Sequence, residues 1–157
     1  MIVPFEIEHF EILQLNIEAN EVFDKTSTER TALLKAQMSV SCHEKDPRRW
    51  RLTLALEIDA EKPEEKKLLP YRMRITGRAY FLFKEDATKE AAEHTLRLNG
   101  ASILYGLLRA QVFNITALSI NEPYLLDTMN FVQAEKQHLK EPPAKEQAQA
   151  AEAKTGV

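Results

Sequence analysis

Three segments in the first half of the chain alternate regularly between apolar and polar residues: residues 34–42, 50–59 and 71–83. Such alternation places every second side chain on one face of a β-strand, so each segment has one apolar face and one polar face. Antiparallel sheets commonly leave one face in water, whereas parallel strands buried on both faces read as continuous apolar runs. The pattern therefore predicts an antiparallel sheet with one face in water, here called the wet face.

The opening segment, Phe5 to Ala19, is a less regular fourth strand. Its apolar residues form two sets of opposite parity, with Phe5, Ile7, Leu13, Leu15 and Ile17 in one set and Phe10 and Ile12 in the other. A change of parity within a strand means that the middle is covered on both faces or that the strand is bulged. We leave both interpretations open.

The stretch from Thr88 to Phe131 follows the strands and reads as a helix that is apolar on almost every side. Its apolar positions include Leu96, Leu98, Ile103, Leu104, Tyr105, Leu107, Leu108, Val112, Phe113 and Ile115. They span more than the roughly 100° stripe of an ordinary surface helix. One side is expected to pack on the sheet. The other is expected to meet a second subunit, because burial is worth about 0.8 kcal/mol per CH₂ group.

Local signals set the limits of this helix. Thr88 is a suitable N-cap, while Gly100 and Gly106 suggest a kink or a close approach to another helix. The sequence Asn121-Glu122-Pro123 breaks the pattern, and a second helix is expected into the 130s. The element order β-β-β-β-α-α predicts an α+β fold: a four-stranded antiparallel sheet with a long helix and a second helix packed on one face.

The composition suits one soluble domain. The chain has 157 residues, 44% of them hydrophobic, and residues 1–140 are expected to form the domain. Residues 141–157 lack apolar surface and are expected to be a flexible tail. The net charge of −3 gives no overall attraction to nucleic acid or membranes, and the single cysteine excludes an internal disulfide. No apolar run reaches about 18 residues, so we expect a soluble, cytoplasmic protein.

Catalytic and metal-binding patterns are weak. The four histidines lie on different elements, Cys42 has the inward parity of its strand, and the glutamates of the first strand read as a solvated face. The four glycines include no G-x-G arrangement that would cradle a phosphate. We therefore predict a protein that is not an enzyme and holds no metal or other cofactor.

A group of arginines shares the wet face of the predicted sheet: Arg51, Arg72, Arg74 and Arg78. They suggest either a plain solvated surface or a docking site for an acidic protein. Recognition of single-stranded RNA on a sheet also requires aromatic side chains among the basic ones, and only Tyr80 has that parity. We therefore do not expect nucleic acid as a partner.

A second group of side chains is apolar and flexible: Met38, Val40, Tyr124, Leu126, Met129 and Phe131. These residues are compatible with ordinary core. They are also the types that an adaptable groove for varied apolar peptides would use.

At these residues the chain resembles SecB, the export chaperone, and its wider family. Phe5–Ala19 resembles the opening strand of the family, and Trp50–Ala60 resembles its aromatic-led central strand. Ser102–Arg109 is similar to the family's Asn-Ile-Leu-Phe-Pro-Tyr-x-Arg, and Leu126–Phe131 to its Leu-x-Pro-x-Asn-Phe. Gly106 and Thr128 stand where the family has proline. The resemblance covers roughly residues 5 to 135.

The resemblance implies a chaperone that needs no ATP and holds client proteins unfolded in grooves between a long crossover loop and the second helix. It also implies a homo-tetramer, built as a dimer of dimers. The client-binding residues would then be Met38, Val40, Tyr124, Leu126, Met129 and Phe131. The subunit interface would include Ile103, Tyr105, Gly106, Arg109 and Val112.

In the family, acidic residues on the wet face dock to the SecA motor. Glu18 matches one such position, but the others fall on Gln14 and Arg74, with Arg72 beside it. The docking face is thus expected at Glu18, Arg51, Arg72 and Arg74, with SecA a candidate partner only. General export and a dedicated client such as a toxin–antitoxin pair both stay open. The alternative function is an adaptor that binds one folded protein through the arginines.

Overall fold

A computed structural model of the chain describes residues 3–29 and 32–138. Its sheet has four antiparallel strands, β1 (Phe5–Ala19), β2 (Leu33–Cys42), β3 (Arg49–Asp59) and β4 (Tyr71–Phe83), in the order β1-β4-β3-β2. The predicted antiparallel sheet is confirmed. The predicted tail, residues 141–157, lies outside the described residues.

Because β1 and β2 form opposite edges, the chain between them must cross one end of the sheet. We call residues 20–29 and 32 the crossover segment.

Strand β1 is bulged, which resolves its mixed parity. Its pairing with β4 shifts register between Ile7 and His9 and again between Ile12 and Gln14. Each shift inserts one extra residue and so exchanges the two faces. As a result Ile7, Phe10 and Ile12 all lie opposite inward residues of β4.

The long helix is interrupted and shorter than the apolar stretch. It consists of α1 (Lys89–Thr95), a π-helical turn (Leu96–Gly100) and α2 (Ala101–Thr116), and a separate helix, α3 (Phe131–His138), follows. The predicted N-cap is confirmed, since the Thr88 hydroxyl accepts a hydrogen bond from the Ala91 amide at 3.2 Å. Helix over the whole stretch to Phe131 is wrong: residues 122–130 are extended between α2 and α3, because the turn after Thr116 and Pro123 stop the helix.

The core lies between α2 and the inner faces of β3 and β4. All inward residues of β3 are buried, and Leu104 and Leu108 of α2 are fully buried against the sheet. Gly77 of β4 makes this contact possible, because an added Cβ would come within 2.7 Å of Leu108 Cδ2. Helix and sheet therefore approach most closely where β4 has no side chain.

Residues 121–130, here called the strap, return from the end of α2 along its flank. Side chains of β4 and α2 hold the strap by donating hydrogen bonds to its backbone carbonyls. Tyr71 Oη donates to Glu122 O at 2.8 Å, and Arg109 Nε donates to Leu126 O at 2.7 Å. Tyr105 Oη also donates to Asp127 O. These bonds satisfy backbone groups that an extended segment would otherwise leave without partners.

No helix in the described part of the chain is long and apolar enough to cross a membrane.

Candidate binding surfaces

A groove with both apolar and polar lining opens at the end of the sheet that the crossover segment crosses. Three segments form its walls: the crossover segment, the connection between β3 and β4, and the strap. The groove encloses about 350 Å³ and is lined by Phe23, Ala32, Leu68, Leu69, Pro70, Glu122, Pro123, Tyr124, Leu125 and Asp127. Its volume is at the lower end of the range for small-ligand pockets. We call it the strap groove.

Two asparagines hold these walls together. Asn20 Nδ2 donates to Lys66 O at 2.9 Å and to Leu69 O at 3.0 Å, which fixes the crossover segment on the β3–β4 connection. Asn121 Nδ2 donates to Asn20 O at 3.0 Å and to Pro70 O at 2.9 Å, which fixes the strap to both. The groove is therefore formed within the single chain by side-chain amide hydrogen bonds, of which the one from Asn121 to Pro70 O is buried.

The tyrosines beside the groove stay neutral over a wide pH range. Burial raises the pKa of Tyr124, and the negative charge of Asp127 raises it further. Burial also raises the pKa of Tyr105, although the positive charge of Arg109 opposes it. The Tyr124 ring meets the Tyr71 ring edge-on, with centroids 6.0 Å apart. Both tyrosines therefore combine an apolar body with a hydroxyl donor.

The residues expected to bind clients are only partly brought to this groove. Tyr124 lines it, whereas Leu126 and Phe131 are buried in the core. Met38, Val40 and Met129 are half-buried and pack against that core. The sequence interpretation missed Phe23, Leu68, Leu69 and Leu125, because they belong to three distant segments and meet only in the fold. The apolar sequence Leu68-Leu69-Pro70, directly after the charged residues 61–67, could have indicated part of this groove.

The residues expected at a subunit interface divide between two sides of α2. Ile103 and Gly106 are exposed on the outer side, where an added Cβ on Gly106 would meet nothing within 4 Å. Tyr105 and Val112 are buried within the chain, and Arg109 is bound to the strap. Phe113, 41% exposed, extends the outer apolar side.

The edge strand β1 also keeps apolar residues in water. Ile12, Leu13 and Leu15 in its middle are each exposed by more than a third. Phe5, Ile7, Phe10 and Ile17 of the same strand pack against the core, as Leu34 and Met38 of β2 do. The exposed apolar residues of β1 are therefore confined to the middle of the strand.

The arginines of the wet face are mostly neutralised by carboxylates on the same face. The ion pairs join Arg49 to Glu8, Arg72 to Glu18 and Asp59, Arg74 to Glu57, and Arg78 to Glu11, at 3.3 to 3.9 Å. Among the described residues Arg51 has no such carboxylate, and its Nε donates instead to Ser41 Oγ at 2.7 Å. The predicted arginine face is therefore a mixed-charge surface, and Glu18, Arg72 and Arg74 lie within its ion pairs.

Within residues 3–29 and 32–138, no three His, Cys, Asp or Glu side chains are placed so that they could hold a metal ion. Cys42 is half-buried at the end of β2.

No family model matches the sequence, and no curated protein matches it. Among solved structures, the fold is similar to that of a SecB-like chaperone of Mycobacterium tuberculosis in complex with a ChAD peptide from the HigA1 antitoxin. The TM-score is 0.62 at 15% identity, over 80% of this chain and 90% of that one. A protein of unknown function from Streptococcus agalactiae matches with a TM-score of only 0.45 at 8% identity, over 80% of this chain and 98% of the other. The chain thus has a SecB-like fold.

Proposed function

We propose that this protein is a SecB-like chaperone that holds unfolded polypeptides without nucleotide. The observation that carries the proposal is the strap groove, an open groove between the crossover segment and the strap whose lining includes Phe23, Tyr124 and Leu125. A holdase needs no catalytic group, since binding the unfolded state withdraws it from aggregation by mass action. Each buried client side chain would contribute about 25 cal/mol per Å² of apolar surface.

The client is expected to bind as an extended segment. The groove is preformed and open to solvent, and its walls combine Phe23, Leu69 and Tyr124 with the carboxylates of Glu122 and Asp127 at the rim. The apolar side chains of these walls can accept different client side chains without fixed geometry, which suits a partner of varied sequence. Of the residues predicted from the sequence, Tyr124 is the direct contact in this proposal, while Leu126 and Phe131 support it from the core.

A self-associated state accompanies this function in the proposal. The exposed side of α2 around Ile103, Gly106 and Phe113, and the apolar middle of β1, would be covered by further copies of the chain. The strap lies on the other flank of α2, where Tyr105 and Arg109 hold it. Assembly as a homo-tetramer would thus leave the strap groove open for clients.

A dedicated client is a specific form of the same proposal. The Mycobacterium tuberculosis chaperone with the similar fold is bound to a peptide of an antitoxin. We propose that an antitoxin-like polypeptide is one client class for this chain, alongside export clients. The adaptor alternative, with a folded partner or SecA on the arginine face, has less support because Arg72 and Arg74 are already paired with carboxylates.

The test is suppression of aggregation of an unrelated, chemically unfolded protein, without nucleotide, at near-stoichiometric amounts. Leu125→Asp should weaken suppression several-fold, since Leu125 lines the groove and is 55% exposed, so the change is not expected to unfold the chain. Leu118→Asp is the matched control, because Leu118 is 90% exposed and does not line the groove.

Equal activity of both variants would argue against the strap groove as the client site. No suppression by the unmodified protein would reject the holdase function itself. The mass of the particle in solution, as a multiple of 18.0 kDa, is measured on the same samples. A monomer of full activity would separate client holding from the proposed assembly.

A further inference from the structure

The strap is bound to the rest of the chain along only one of its two backbone edges. The carbonyls of Glu122 and Leu126 accept side-chain hydrogen bonds from β4 and α2. Between them, the Tyr124 amide donates to Thr116 Oγ1 at 2.8 Å. In an extended backbone, alternate residues direct their N–H and C=O groups to the same edge. The edge formed by residues 122, 124 and 126 therefore holds the strap in place.

The opposite edge of the strap is free. Leu125 lies between the bound residues, so its N–H and C=O groups point to this opposite edge. Pro123 shares the edge and adds a carbonyl, although it has no N–H. Among the described residues, no hydrogen bond is made to any of these three groups. Because Pro123 and Leu125 both line the strap groove, the free edge borders the groove.

This free edge is fixed before any client arrives. Asn121, which is 7% exposed, anchors the start of the strap to Pro70 O at 2.9 Å. Tyr105 Oη binds Asp127 O further along. Glu122 precedes a proline, which favours an extended backbone at that residue. A binding edge that is already extended loses little conformational freedom when a partner pairs with it.

We propose that a client segment pairs with the free edge of the strap as an added β-strand inside the strap groove. The proposal rests on the holdase function proposed above and names the chemistry by which its site recognises a client. Two client N–H groups, two residues apart, donate to Leu125 O and Pro123 O, and a client carbonyl accepts from Leu125 N–H. The client main chain is thus bound whatever its sequence, while the apolar lining meets its side chains.

Backbone pairing lets the groove select unfolded chains. In a folded protein nearly all buried backbone groups are already paired within helices and sheets. An extended, unfolded segment has free N–H and C=O groups that match those of Pro123 and Leu125. A helical segment would cover Leu125 N–H without giving it an acceptor, which costs free energy. The occupant is therefore an extended segment.

The test uses the fluorescein-labelled peptide Ser-Gly-Thr-Leu-Thr-Phe-Thr-Leu-Gly-Ser with the full chain, together with two isomers that carry three N-methyl groups each. One isomer is methylated on the three apolar residues and the other on the three threonines. Since the donors of an extended chain alternate in direction, only one isomer loses the donors that face the strap. We expect that isomer to bind at least about tenfold more weakly than the unmethylated peptide, measured by anisotropy, and the other to bind within about twofold.

Two substitutions at Leu125 separate the backbone contribution from that of the side chain. Leu125→Ala and Leu125→Pro both remove most of the side chain contact, but only Leu125→Pro also removes the N–H. We expect Leu125→Pro to bind the unmethylated peptide several-fold more weakly than Leu125→Ala does. Thermal unfolding of each variant verifies the fold, and the two isomers test the same pairing on the unmodified protein.

Equal affinity of the two isomers, equal affinity of the two variants, or no binding of the unmethylated peptide would overturn the pairing. If the chain still suppresses aggregation in that case, the holdase function is retained and only the backbone pairing is rejected. A lower particle mass of Leu125→Pro with unchanged peptide binding would overturn the proposal in favour of a contact between copies of the chain.

Discussion

The two faces of the sheet share the same four strands but are stabilised by different interactions. On the inner face, every inward residue of β3 is at most 4% exposed, and Leu104 and Leu108 of α2 pack directly onto the sheet. On the wet face, half-exposed arginines and carboxylates form ion pairs at 3.3 to 3.9 Å. The inner face is stabilised by the burial of apolar surface. On the wet face, water screens the attraction between the paired charges.

The two faces therefore differ in how strongly a substitution affects the stability of the fold. Close packing makes the inner face sensitive to the loss or gain of one methyl group. Exposed ion pairs contribute little to the free energy of unfolding, so the wet face can change its charges while the fold is kept. It follows that the charges of the wet face can vary while the inner face maintains the fold.

The largest expected effect comes from two neighbours on the central strand β4. Ile75→Ala should lower the free energy of unfolding by about 2–5 kcal/mol, because it leaves a cavity beneath the helix. Thr76→Ala, on the wet face, should cost less than about 1 kcal/mol. Urea unfolding at one fixed protein concentration measures both. Similar losses would contradict the division between the faces.

Two glycines provide the second comparison. Gly77→Ala should destabilise the protein by about 1–3 kcal/mol, because the new methyl group meets Leu108 at 2.7 Å in a packed core. Gly106→Ala should instead stabilise the single chain by up to about 1 kcal/mol, since the space around it is open. Thermal unfolding measures these changes. If a second copy packs closely on Gly106, size measurements should also show weaker association in that variant.

The smallest effect is expected for an ion pair of the wet face. A double-mutant cycle on Arg74 and Glu57, with glutamine at each position, should give a coupling of about 0.2–1 kcal/mol that decreases with salt. Both side chains are 41–63% exposed, so solvent screens their attraction. A coupling above about 2 kcal/mol would mean that the wet face stabilises the fold as well.

Much of the sheet could be predicted from the sequence, because water on one face forces the polar residues of β2, β3 and β4 into alternation. The irregularity of β1 was visible, but parity alone allowed two explanations, and only pairing with β4 identified the bulges. The helix ends a few residues before the predicted break at Asn121, because Leu118 and Ile120 continue the apolar pattern past Thr116, where the chain turns. Just beyond the end of a helix, an apolar residue type does not predict that the side chain is buried.

The candidate sites were less predictable, since they depend on contacts between distant segments. Phe23 and Leu69 share a groove only because β1 and β2 lie at opposite edges. The arginines were identified correctly by face, but their neutralisation depends on strand register, which brings Arg72 beside Asp59. No local pattern contains that information.

The two bulges of β1 also bear on how this chain avoids aggregation. A long edge strand with Ile12, Leu13 and Leu15 in water would otherwise offer a continuous row of backbone donors and acceptors to any other unpaired strand. The bulges divide that row, and residues 14–19 remain as its longest regular run. A newly made chain is therefore protected from indiscriminate strand addition, while a short regular stretch is left for a partner that matches its register.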